Sequence, residues 1–222
     1  MPDANLFQIL SVVALPLLFA ITVHEASHGW VANRLGDPTA KMMGRLTLNP
    51  IRHIDPIGTI AVPLIILFVA YMSTGFPLFF GWAKPVPITA QNLHNPKRDM
   101  RWVALAGPGS NLFMALLWAI LAYLALNLPI PGRVWLYEVG RVGILINLVL
   151  MLLNLIPLPP LDGGRVLVSV LPGPLAYKVS RVEPYGIVIL FAVLFFLNGW
   201  YYFSYAVQAI NIVIKSLFGL PI

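Results

Sequence analysis

The stretch NLFQILSVVALPLLFAITVHEASHGWVANRL, residues 5–35, opens with a run of uncharged, mostly apolar residues and then sets two histidines and a glutamate on what reads as one continuous helix. At about 1.5 Å of rise per residue, some eighteen residues of helix place His24 roughly 27 Å from the start. That is at or just inside the far edge of a hydrocarbon layer about 30 Å thick. Ionisable groups at such a depth are costly and point to function by default.

The rest of the chain agrees with a bilayer as solvent. Of its 222 residues 59% are hydrophobic and only 10% charged, and the mean hydropathy is +0.84. A soluble domain carries about a quarter charged residues. Further apolar stretches cover about Ile57–Phe80, Met100–Leu126, Val134–Leu153, Tyr185–Leu197 and Tyr201–Leu217. The expectation is an all-α polytopic membrane protein of five to six transmembrane segments. It reads as one integral-membrane domain over 1–222, with a core of about 5–171 and C-terminal helices of about 184–217. The polar RLTL stretch, Arg45–Leu48, alternates like a short strand near the site. Asp55-Pro56 reads as a helix N-cap followed by proline at the first helical position.

The formal charge of +6 is spread over loops without a basic stripe interleaved with aromatics, which argues against nucleic acid. Arg34, Lys41, Arg45 and Arg52 follow the first segment, and Lys97, Arg98 and Arg101 precede the third. By the positive-inside rule both ends are cytoplasmic. The apolar stretch 57–82 therefore has positive charge at both flanks, as a re-entrant hairpin would. The N-terminus has no basic leader or cleavage pattern and reads as a retained helix.

His24 and His28 stand four apart, so on a helix their imidazoles share a face and can hold one cation. Glu25 can reach a water beside that cation without binding it. H-E-x-x-H is the pattern of two zinc ligands and a general base. A catalytic zinc needs a third protein ligand and an open position. With no cysteine in the chain, the search is confined to acids and histidines. Asp3 and Glu138 fall on the outer side, and Asp37, Asp55, Asp99 and Glu183 sit beside loop prolines or basic residues. Asp162 follows an apolar helix and a proline-rich break, and Gly163-Gly164 permits close backbone approach there. It is the best third ligand, although it also suits the N-cap of a following helix. His53 is the rival.

His24-Glu25-Ala26-Ser27-His28, taken with Asn154-x-x-Pro157-x-Pro159-x-Leu161-Asp162-Gly163 and with Gly107-Pro108-x-x-Asn111 between them, resembles the site-2 protease family of intramembrane zinc metalloproteases. The resemblance covers roughly residues 10–170 and corresponds to a minimal form without PDZ or regulatory domains. It implies one zinc on His24, His28 and Asp162, Glu25 as base, and cleavage of transmembrane protein segments in a prokaryotic cell membrane, with the site toward the cytoplasm. Asn154, Pro157, Pro159 and Asn111 become candidate substrate contacts. Asn154 also suits a cap on a broken helix, and Asn111 a link between helices. NLIPLPPL cannot form regular helix, which leaves backbone free to partner an unwound substrate. The competing readings are a membrane zinc transporter, which would have no water to activate, and a non-proteolytic metal protein.

Overall fold

The computed structural model describes residues 6–62, 64, 65, 68, 81 and 84–222. Among these the regular elements are helical. The first, α1, runs unbroken from Leu6 to Arg34 through Pro16. After the short α2 (Thr39–Met42) and the irregular loops that follow come α3 (Pro96–Asn127), α4 (Arg133–Leu155), α5 (Asp162–Val170), α6 (Gly173–Ser180), α7 (Gly186–Phe196) and α8 (Gly199–Leu217).

Four stretches are long and apolar enough to cross a bilayer: Phe7–Arg34, Pro96–Asn127, Arg133–Leu155 and Gly173–Phe196. The protein is an all-α integral membrane protein. The fourth stretch joins α6 to α7 through a 3-10 turn at Glu183–Tyr185. The 19-residue α8 is outside this set, its hydropathy lowered by Ser204, Gln208, Asn211 and Lys215. Most of the expected hairpin over 57–82 lies outside the described residues. Its entry is visible: Asp55 accepts from the backbone N–H groups of Ile57 and Gly58, with Pro56 opening a π-helical turn to Ala61.

The strand-like reading of Arg45–Leu48 is corrected. These residues form bends, and no described residue pairs with them as a ladder. Their polar groups are taken up otherwise. The Arg45 guanidinium donates to the carbonyl of Lys84 at 2.9 Å, and the Thr47 carbonyl accepts from His53 Nε2 at 2.9 Å.

Small residues set the packing of the central helices. On α3, Ala115, Ala119 and Ala122 are buried, as are Gly140 and Gly143 on α4. A Cβ on Gly143 would stand 2.4 Å from the Trp118 ring, and one on Gly140 would stand 2.9 Å from the Ala122 nitrogen. Lipid tails are as apolar as leucine, so such close approach, rather than water exclusion, holds these helices together. Ile144, Leu148 and Met151 continue the core, and α8 adds Val207 and Ile214. The end of α1 meets the approach to α3, where the His94 N–H donates to the Leu35 carbonyl at 2.9 Å. The Lys97 ammonium donates to the carbonyl of Leu171, just beyond α5. The end of α1, the start of α3 and the α5–α6 junction therefore gather at one end of the bundle.

Candidate active site

On α1 the four-residue spacing turns both imidazoles toward α3, where Gly107 makes room for them. A Cβ at Gly107 would lie 2.5 Å from both His24 Cε1 and His28 Nε2. Asp162 opens α5. The two glycines after it let that helix start against the broken end of α4: a Cβ on Gly163 would be 2.3 Å from the Leu155 carbonyl oxygen, and one on Gly164 2.2 Å from Pro159 N. Asp162 Oδ2 then lies 3.2 Å from His24 Nε2 and 3.3 Å from His28 Nε2. All three residues are buried.

A relay of amides decides which imidazole nitrogens carry protons. Asn147 donates to the Gly143 carbonyl at 2.9 Å, which leaves its own oxygen as acceptor. Asn111 Nδ2 donates to that oxygen at 3.0 Å and to the Ala20 carbonyl at 3.3 Å. Both amide hydrogens of Asn111 are then committed, so its Oδ1 accepts from His24 Nδ1 at 2.6 Å. His28 Nδ1 faces the Val103 carbonyl at 2.7 Å and must donate as well. In the neutral form of each ring Nε2 is then a bare lone pair.

The two Nε2 atoms are 3.1 Å apart. With protons on both Nδ1 atoms, no hydrogen bond joins them. Asp162 Oδ2 is buried and has no hydrogen-bond donor. With both rings neutral, three acceptors converge without a proton among them, an arrangement that repels itself unless a cation sits at its centre. Tetrahedral zinc with bonds of about 2.0–2.1 Å has ligand-to-ligand edges of about 3.3–3.4 Å. The three observed edges are close to that. Both imidazoles also make the outer hydrogen bond that zinc-binding histidines make. The donor set fits zinc.

Residues 134–197 match peptidase family M50. Over 187 residues the chain is 37% identical to a relative from Bacillus subtilis (strain 168), "Putative zinc metalloprotease YwhC", covering 82% of this chain and 79% of that one. It is 30% identical over 190 residues to the similarly named Rip2 of Mycobacterium tuberculosis (strain ATCC 25618 / H37Rv), covering 83% of this chain and 68% of the other. No solved structure gives a significant match. The chain belongs to peptidase family M50, the site-2 proteases. This M50 peptidase is a zinc metalloprotease in a membrane, with protein substrates.

The remaining expected residues fall in different places. Glu25 is half-buried, and its Oε2 accepts from the backbone N–H of Val86 at 2.8 Å, a contact with no signature in the sequence. His53 is buried with Nε2 on Thr47 and lies outside the group that can share a metal. Asn111 is fully buried, with its side chain spent on His24, Ala20 and Asn147. Asn154 ties its amide back to the Leu150 carbonyl at 3.0 Å. Pro157 is exposed and Pro159 buried. Pro159 and Pro160 wall a cavity of about 520 Å³ with Met100, Arg165 and Ser169, and none of His24, His28 or Asp162 lines it.

Proposed function

We propose that this M50 peptidase hydrolyses peptide bonds in membrane-spanning segments of protein substrates, with His24, His28 and Asp162 holding zinc and Glu25 as general base. The observation that carries the reading is the convergence of Asp162 Oδ2 with the Nε2 atoms of His24 and His28, two residues on a helix long and apolar enough to span a bilayer. Bound there, zinc polarises the scissile carbonyl and makes water acidic enough to attack near neutral pH. Glu25 takes the proton of the attacking water and delivers it to the leaving amine. Asn111 and the Val103 carbonyl keep both imidazoles in the tautomer that binds metal. Asn111 is thus a positioning residue for His24 rather than a substrate contact. The proline-interrupted segment Asn154–Pro160 offers backbone to an unwound substrate, with Asn154, Pro157 and Pro159 as candidate contacts.

The test is cleavage of a model transmembrane peptide by purified protein in lipid, with zinc analysis alongside. Wild type cleaves and holds about one zinc per chain. Glu25→Gln keeps zinc and captures the peptide but does not turn it over. His24→Ala, His28→Ala and Asp162→Ala each lose zinc. Undiminished cleavage by Glu25→Gln refutes the base assignment. Retention of full zinc and activity by Asp162→Ala, with loss of both in His53→Ala, refutes the ligand set.

A further inference from the structure

Glu25 and Asp37 are joined through a segment that plays no part in ligating metal. Residues 84–88 lie along α1 without regular secondary structure. At their centre the Val86 N–H donates to Glu25 Oε2 at 2.8 Å. Pro85 and Pro87 have no N–H, so Val86 is the one donor of the Pro-Val-Pro triplet, and the prolines stiffen the backbone that presents it. Val86 is 5% exposed. Its Cγ1 lies 3.0 Å from where a Cβ on Gly29 would stand, so Gly29 lets the segment rest on α1 beside His28.

Both ends of the segment are anchored. Toward its start, the Lys84 N–H donates to the His53 carbonyl at 3.0 Å, and Arg45 Nη2 donates to the Lys84 carbonyl at 2.9 Å. Toward its end, the Thr89 N–H donates to Asp37 Oδ2 at 2.7 Å. Asp37, fully buried just past α1, accepts at its other oxygen from Asn92 Nδ2 at 3.0 Å, from the Thr39 N–H at 3.0 Å and from the Thr39 hydroxyl. Burial alone pushes this carboxyl up, but the donors from Thr39, Asn92 and Thr89 outweigh it and hold it below the ordinary carboxylate range.

We infer that residues 84–89 are a strap that fixes the carboxylate of Glu25 through the Val86 N–H, and that Asp37 is the positioning residue that holds the strap in place. The inference rests on the reading of Glu25 as base. A base works only within about 2.6–3.2 Å of the proton it takes. A glutamate has three rotatable bonds, so an unheld carboxylate spends most of its time elsewhere. Anchoring Oε2 on Val86 confines it and leaves the second oxygen to receive the proton.

Two substitutions at Val86 separate the N–H from the side chain. Val86→Pro removes the donor in a backbone already flanked by prolines. Val86→Ala keeps the donor and trims the packing. The expected result is that Val86→Pro lowers kcat by about tenfold to a hundredfold, as a misplacement of about 1 Å does, with KM and zinc content unchanged. Val86→Ala keeps the donor, so its kcat should fall less than that of Val86→Pro. Asp37→Asn turns one acceptor oxygen into an amide. With its remaining oxygen on Thr39 and Asn92, its NH₂ meets the Thr89 N–H donor to donor. It should lower kcat in the same way and speed hydrogen exchange at the Val86 and Thr89 amides, while zinc stays bound. Turnover by Val86→Pro at or above the wild-type rate overturns the proposal, as does unchanged exchange at the Val86 amide in Asp37→Asn. If Val86→Pro does not fold, Asp37→Asn decides by the same two measures. Exchange is read without turnover, so a failure of the base assignment, seen as cleavage by Glu25→Gln, is distinguished from a failure of the strap.

Discussion

Gly107 has no side chain because the imidazoles of His24 and His28 fill the space where one would stand, 2.5 Å away. Gly107→Ala is therefore expected to lose most of its zinc, by metal analysis of purified protein. Gly109→Ala, two positions along the same helix and facing nothing within 4 Å, should keep it. Asn111 makes the complementary case for hydrogen bonding. Asn111→Ala leaves His24 Nδ1 without its acceptor, and loss of such an outer partner weakens metal binding by about 10–100-fold. Competition with a chelator measures that shift, and a zinc affinity equal to wild type would remove Asn111 from the positioning role. The three residues that could hold a metal were legible in the sequence because chemistry restricts them: four-residue spacing puts two histidines on one helical face, and a cysteine-free chain with eight acids leaves few third candidates. Asn111 was visible as a candidate, and its contact with His24 was not. Whether a buried asparagine meets a substrate or a histidine depends on the helix opposite, which spacing does not disclose.

At the crossing of α3 and α4 the fit is set by Gly143, whose missing side chain is replaced by the Trp118 ring. Gly143→Leu overpacks that contact and should destabilise the protein by about 1–3 kcal/mol, read as a lowered unfolding temperature in detergent. An unchanged midpoint would mean that α4 can slide to relieve the clash. The spanning helices could be read from composition, since apolar length is what a bilayer selects. Asp55 as a cap could be read too, because aspartate before proline has a local cause. The loops were harder. Arg45–Leu48 has the alternation of a strand, but alternation states only which faces differ. Without a partner edge among the described residues, its groups turn to Lys84 and His53 instead. The contact between Glu25 and Val86 was beyond reach, since a backbone N–H sixty-one residues away leaves no mark on the side-chain pattern.

The bundle also sorts its charge. The end of α1, the start of α3 and the junction of α5 with α6 meet at one end, through the contacts of Leu35 with His94 and of Lys97 with Leu171. Arg34, Lys97, Arg98, Arg165 and Lys178 belong to that end by position in these elements. The opposite end holds the turn between α3 and α4, with Arg133 and Arg141. Arg141 is there paired with Glu138 at 2.7 Å, which halves the unpaired positive charge. Lysine and arginine flanking short loops fix orientation, so the metal-binding face, at the α5 end of the molecule, is expected toward the cytoplasm. The chain contains no cysteine, and single cysteines can be introduced without background. Cysteines beside Lys41, Lys97 and Lys178 should react with an impermeant thiol reagent only after the membrane is opened, and one beside Arg133 should react in intact cells. The same experiment at Lys84 reports on the stretch before it: inner labelling at both Lys84 and Lys41 means that residues 57–82 enter and leave on one side. Labelling of Lys97 from outside, with Arg133 protected, would invert the whole arrangement. The strap beside Glu25 would then face the exterior, and substrates would have to be sought among segments that unwind at the outer surface.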